Sequence, residues 1–395
     1  MSQLVETEIG TIASDWKVCS LDEICEPPQY GFTASAGKKG NTQFLRITDI
    51  TESGIKWGTV PYCKCPEKIL SKYLLASGDI VFARIGATTG KSYLIADPPP
   101  SVFASYLIRV RPKKVVDSGF LSHFFRTTGY WQQIDAQKGS NLKKGVNGSL
   151  LKKLIVPVPP LPEQKKIAHI LSTVQRAIEE QERIIQITTE LKNALMHKLF
   201  TEGLRNEPQK ETEIGPVPES WEVKRFDSFA VLQRGFDITK KDQRPGDFPV
   251  VSSGGISSCH DEAKVKGPGV VIGRKGSLGT VHYIASDYWP HDTTLWVKDF
   301  KGNNPRFVAY LLETMRLKRF DTGAANPTLN RNIVHGEKIA LPPTDQQVEI
   351  GAALEAVESK ILIHERRKRS FQNLFRTLLH ELMTAKTRVQ ELDIK

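Results

Sequence analysis

Long apolar runs are missing from this chain. No window approaches the roughly eighteen uncharged apolar residues that a bilayer-spanning helix needs. The opening, Met1 to Trp16, is polar and acidic rather than basic and then apolar, so it lacks the pattern of a secretory leader and a cytoplasmic protein is expected. Cysteine is scarce and odd in number: Cys19, Cys25, Cys63, Cys65 and Cys259, with a single C-x-C pair. That set offers neither a disulfide framework nor the second ligand pair of a structural zinc site, and no bound metal is expected.

Catalytic signatures are missing too. Neither a nucleophile elbow nor a catalytic Cys and His pairing stands out, nor does an acidic pair plus lysine at nuclease spacing. Gly86-Ala87-Thr88-Thr89-Gly90-Lys91 has three residues between its first glycine and Gly-Lys where a P-loop needs four, and Gly273 to Thr280 has no lysine after its last glycine. Both are expected to be β-hairpin turns that carry a basic residue. Asp97-Pro98-Pro99-Pro100 lacks the aromatic fourth residue with which amino-methyltransferases hold a base, and no strand followed by G-x-G precedes it. No enzyme is expected.

What the chain does have is positive charge, a net +11 with pI near 9.3. Excess Lys and Arg favours a polyanionic partner, because phosphate neutralisation releases counterions. It also has a repeat. Glu6-Thr7-Glu8-Ile9-Gly10 and Trp16 recur as Glu211-Thr212-Glu213-Ile214-Gly215 and Trp221, 205 residues later. Ile85-Gly86 is expected to match Ile272-Gly273 at 187, and Pro160, Gln164, His197 and Thr201 match Pro343, Gln347, His380 and Thr384 at 183. The offset changes within the globular parts and then holds constant, so loops vary in length while helices keep register.

Pro159-Pro160-Leu161-Pro162 starts the first helix, Glu163 suits its first turn, and Gly203 is its expected cap; Glu163 to Gly203 is 41 residues, roughly 60 Å long. Ile167, Leu171, Val174 and Ile178 step by 4, 3 and 4, as do Ile350, Leu354, Val357 and Ile361 after Pro342-Pro343, and that is coiled-coil spacing. With Leu191, Leu195, Leu199, Leu374, Leu378 and Leu382 they form the expected interhelix stripe. A stripe this narrow on a helix this long needs a partner of equal length. The other copy supplies it in an antiparallel coiled coil, unless each helix docks on its own module or on a second chain. His364 to Arg369 is either a solvated face or a contact for an acidic partner.

The expected fold class is α+β: two mixed α/β modules alternating with two long helices, an internal pseudo-twofold duplication. The expected divisions are module 1–157, helix 158–205, module 206–342 and helix 343–395. Polyanion-binding candidates beside glycines are Lys38, Lys39, Arg46, Arg84, Lys91, Lys138, Lys143 and Lys144 in the first module, with Tyr30, Phe32, Tyr130 and Trp131 nearby. The second offers Arg234, Lys240, Lys241, Arg244, Arg274, Lys275 and Arg331. Residues 1–157 hold 20 basic against 13 acidic side chains, and residues 206–342 hold 19 against 17.

The run Pro159 to Ile167 opening a long helix, the spacing Leu191, Leu195, Leu199, and the following Glu211 to Trp221 together resemble the specificity subunits of type I restriction-modification systems over essentially the whole chain. The second helix opens with Pro342-Pro343-Thr344-Asp345 instead of the family's Leu-Pro-Glu, and Thr11 to Asp15 replaces the Pro216 to Ser220 pattern. The resemblance implies a prokaryotic, non-catalytic subunit whose two target-recognition domains each bind half of an asymmetric double-stranded DNA sequence. It implies as partners two modification subunits and two restriction subunits, with S-adenosylmethionine, ATP and magnesium on those partners and no cofactor on this chain. The competing expectation is a coiled-coil assembly scaffold that does not bind DNA.

Overall fold

Short β-branched runs bounded by Gly, Pro and Asn build the same pair of small sheets twice, as a computed structural model of the chain shows; it describes all residues except 1–3, 8–9, 52–53, 139–144, 322–326 and 391–395. In the first copy a four-stranded antiparallel sheet runs in the order Ser92–Leu94, Ile80–Ala83, Leu107–Val110, Gln29–Tyr30. In the second it runs Val281–Ile284, Gly269–Gly273, Thr294–Asp299, Val231–Arg234. Each copy adds a three-stranded sheet with one parallel pairing, Ser101–Phe103 on Thr42–Leu45 and Trp289–Pro290 on Phe248–Ser252. The duplication is therefore structural as well as sequential.

Strand register corrects one expected match. Leu107 pairs with Ala83, and its counterpart Thr294 pairs with Gly273. Ala83 thus corresponds to Gly273 and Arg84 to Arg274, 190 residues apart, whereas the Ile-Gly identity at 187 is a coincidence of two turns of unequal length.

The two long helices are α1 (Leu161–Thr201) and α2 (Thr344–Met383). Contacts divide the chain into two units, Met1–Glu182 with Arg366–Lys395, and Arg183–Glu365, so each unit owns one module and half of each helix. The first helix ends as expected, with Gly203 at φ +71°. The second ends at Met383, beside the Thr384 end expected of it and within the segment 343–395. After it Ala385 turns at φ +55°, and Val389 is buried in the core of the first unit.

Within each unit the helix halves run antiparallel. In the first, Glu163 of α1 meets Arg388 while Glu182 meets Lys368. In the second, Lys192 meets Glu358 while Arg205 meets Asp345. The apolar stripe serves the module as well as the opposite helix. Ile167, Leu171 and Leu382 join the core of the first module, and Leu199, Ile350 and Leu354 that of the second. Ile178 is buried, and Val174, Leu195, Val357, Ile361 and Leu378 are half-buried.

Leu191 and Leu374 are exceptions, 55% and 45% exposed. Continuing the 4-3 steps from Ile178 leads to Gln181, Ile185, Thr188 and Lys192, and from Ile361 to His364, Lys368, Phe371 and Phe375; all eight are half-buried. The two leucines stand one residue off that seam. Helical packing follows the 3.5-residue repeat, not the i+4 leucine spacing that made them conspicuous.

The equivalent seam positions Lys192 and Phe375 have unlike surroundings. The Lys192 ammonium lies 3.1 Å from Glu358 and 3.3 Å from Glu313, over the Tyr310 ring, and the Tyr310 hydroxyl donates to Glu358. In the first unit Phe375 packs on His123 and under Arg126, and His123 shares a hydrogen bond with Ser172. Helix caps align these sites, because Asp117 accepts from Phe120 N as Asn304 accepts from Phe307 N. His364 to Arg369 is largely a solvated face: Arg366, Arg367 and Arg369 are exposed, and Lys368 pairs with Glu182.

Candidate nucleic-acid interface

Both glycine-rich segments are hairpin turns, closing Ile80–Ala83 onto Ser92–Leu94 and Gly269–Gly273 onto Val281–Ile284. Gly90 and Gly279 close them at φ +88° and +73°, where a side chain would be strained. Each turn presents its arginine from a pinned backbone. Arg84 N donates to Tyr106 O at 3.0 Å and Arg274 N to Thr293 O at 2.9 Å. On the other side Leu329 N donates to Arg274 O, and in the first copy the segment before the corresponding cap brings Gly145 so close that a Cβ there would come within 2.1 Å of Arg84 O.

Around this common feature the two modules differ. The Arg84 guanidinium stacks over Tyr30 at 5.1 Å, and the Tyr30 hydroxyl accepts from Gly148 N. Gly31 and Gly235 both donate to the facing strand, to Leu107 O and Thr294 O, which makes Arg234 the counterpart of Tyr30. Arg234 is paired with Asp292 at 2.9 Å. Asp292 in turn lies with His291 and Asp237, their ligand atoms within 4.8 Å of one another. The Arg234 charge already answers this cluster, so it behaves as an ion-pair network. One guanidinium nitrogen of Arg274, Nη1, is buried and meets no partner among the described residues.

The other basic candidates are scattered over the two surfaces. Lys38, Lys39 and Lys91 are exposed on the first module, and Lys240, Lys241, Lys275 and Arg331 on the second. Arg46 is held bidentately by Asp49, whose hydrogen bonds push the guanidinium pKa up, and Arg244 is likewise held by Asp261 at 2.6 Å. Asp49 stands three residues after Arg46, a spacing visible in the sequence, whereas Asp261 reaches Arg244 only through the fold. Lys138 is the last helical residue of its segment, and Lys143 and Lys144 lie outside the described residues. Tyr130 is fully buried and Trp131 and Phe32 half-buried, so these rings serve packing and are not an exposed stacking surface; Tyr106, overlooked in the sequence, is 56% exposed beside Arg84.

The cysteines are unpaired, and burial pushes the Cys25 thiol up to about 12 and the Cys63 thiol up to about 11, far from the thiolate a nucleophile or zinc ligand requires. No helix is long and apolar enough to cross a membrane among the described residues.

Comparison with known proteins agrees with this architecture. The family model for the type I restriction modification DNA specificity domain matches residues 13–189 and again 218–371. A Methanocaldococcus jannaschii protein described as the MjaX specificity subunit of a type I restriction enzyme is 26% identical, over 98% of this chain and 96% of its own length. The MjaVIII specificity subunit of the same organism is 23% identical over 82% and 83%. The crystal structure of the type I S subunit from M. genitalium superimposes with a TM-score of 0.67 at 16% identity, covering 93% of this chain and 96% of that one, and so shares the fold. Specificity subunits of these systems are non-catalytic. Two matches of one domain model, full-length relatives and a shared fold lead to one conclusion: this chain belongs to the family of type I restriction-modification DNA specificity subunits.

Proposed function

We propose that the chain reads a bipartite, asymmetric double-stranded DNA target, one half-site per module, and directs adenine methylation or cleavage performed by partner subunits. The observation that carries this reading is the pair of modules with one strand order and unlike surfaces at the same turn: Tyr30 beside Arg84 in one, Arg234 with Asp292 beside Arg274 in the other. Two unlike reading heads suit two unlike half-sites. A positively charged chain suits the phosphate backbone between them.

The partners in this reading are two modification subunits, which carry S-adenosylmethionine, and two restriction subunits, which carry ATP and magnesium. This chain binds none of these cofactors itself. In this reading the length of the two long helices, each shared between the two units, sets the gap between the half-sites.

The test is to express the chain with its modification subunits in a host lacking adenine methylation and to map methylated adenines. A single two-part motif, unlike in its halves and separated by a fixed gap, is expected. Methylation without a motif, or a complex that assembles yet shows no salt-dependent, sequence-selective DNA binding, sinks the reading in favour of an assembly scaffold.

A further inference from the structure

Internal duplication allows a comparison that a single module does not. Two modules that bind different half-sites meet the same sugar-phosphate backbone but different base edges. Side chains alike at equivalent places in both modules therefore suit what the half-sites share, and side chains that differ there suit what distinguishes them.

Arg84 and Arg274 are alike. They are 190 residues apart, hold the same place after the same strand, and have backbones fixed by the same two neighbouring segments. Fixing the backbone on both sides limits the freedom each guanidinium loses on binding. Arg274 Nη1 is buried without an acceptor among the described residues, a costly state that an incoming oxyanion relieves. Arg84 lies 5.1 Å over the Tyr30 ring, a cation–π contact that braces the guanidinium without using any of its N–H donors.

Tyr30 and Arg234 differ at one equivalent place, and Asp292 fixes Arg234 through their 2.9 Å pair. Arg234 itself stays exposed. A buttressed, outward-facing arginine suits the O6 and N7 acceptors of guanine, whereas a tyrosine at that place suits other edges.

Resting on the DNA-reading function above, we propose that Arg84 and Arg274 are the equivalent phosphate anchors of the two modules, and that the Tyr30/Arg234 position beside them discriminates bases, with Asp292 as positioning residue for Arg234. The shared pair supplies affinity without sequence preference. The differing pair supplies preference in its own half-site only.

The test uses the full chain in complex with its modification subunits, the mapped target duplex, and a duplex with both half-sites scrambled. Arg84→Ala and Arg274→Ala each weaken binding to both duplexes by about tenfold, with the ratio between them unchanged and the salt slope shallower by about 0.9 for each phosphate no longer neutralised. Arg84→Lys and Arg274→Lys restore much of the salt slope, which separates removal of the anchoring charge from damage to the fold. Arg234→Tyr and Asp292→Asn change base preference by about tenfold in one half-site and leave the other as it was. A changed methylation motif in either Arg→Ala variant, or unchanged affinity and slope, overturns the anchor assignment. An unchanged motif in Arg234→Tyr overturns the discriminator. A wild-type complex without selective, salt-dependent binding overturns the DNA-reading function itself, an outcome distinct from the other two.

Discussion

Arg388 Nε donates to Glu163 Oε1 at 2.7 Å across 225 residues of sequence, and its guanidinium also grips Asp15. Glu163, expected in the sequence only to favour the helix dipole, is 2% exposed and has this cation as its counter-charge. The two carboxylates hold the Arg388 pKa well above the ordinary guanidinium value. Arg388→Ala leaves a buried carboxylate uncompensated and is expected to destabilise the first unit by roughly 3 kcal/mol, read as a lower melting temperature. Adding Glu163→Leu to that variant is expected to recover most of the loss, because the unpaired charge is then gone.

Lys192 makes the corresponding prediction in the second unit. Burial raises the Glu313 pKa; burial also works against ionised Glu358, but the hydrogen bond from Tyr310 and the Lys192 charge bring that group below its usual value. Lys192→Met removes the cation both carboxylates face and is expected to cost roughly 2 kcal/mol at neutral pH. Glu358 has a depressed folded-state pKa, so its contribution is present above the unfolded value near 4.3 and fades as pH falls through the folded one. Chemical denaturation at pH 7 and pH 4 is expected to show a smaller difference between variant and wild type at the lower pH.

His123 gives a pH dependence of its own. Burial, with a smaller push from Arg126, lowers its pKa to about 3, while the unfolded chain binds the proton near 6.5. Between these values the unfolded state carries more protons, so stability falls as pH drops from about 6.5 toward 3, at up to about 1.4 kcal/mol per pH unit from this group. His123→Phe is expected to flatten that slope in equilibrium unfolding between pH 6.5 and 4.5. A slope equal to that of wild type excludes the assignment.

Helix length yields the functional prediction. Seven residues inserted after Ile184 in α1 and after Arg367 in α2 preserve the 3.5-residue seam and add about 10 Å, close to three base pairs of B-DNA. Mapped adenine methylation is expected to keep both half-sites and show a gap about three base pairs longer. An unchanged gap means that the helices do not set it.

Much of the architecture was legible in the sequence because it is written in local chemistry. Proline punctuation and the glycine at 203 bounded α1, the 4-3 apolar steps gave its seam, and eleven matches at one offset revealed the duplication. Legibility failed where two residues meet only through the fold. Leu191 and Leu374 looked like seam residues by spacing and are solvated. Tyr130 and Trp131, noted beside the basic candidates, are buried and half-buried. That Arg234 and Arg244 are braced by Asp292 and Asp261 is likewise visible only in the fold.

The amino-acid sequence by itself determined the twofold repeat and the family, because periodicity, punctuation and residue type are properties of neighbours along the chain. Only the tertiary structure decided that Arg84 corresponds to Arg274, that Tyr30 and Arg234 share a place, and that Arg388 closes on Glu163. The first two depend on strand register and the last on helix docking, which brings side chains more than two hundred residues apart within 3 Å; no local spacing encodes either.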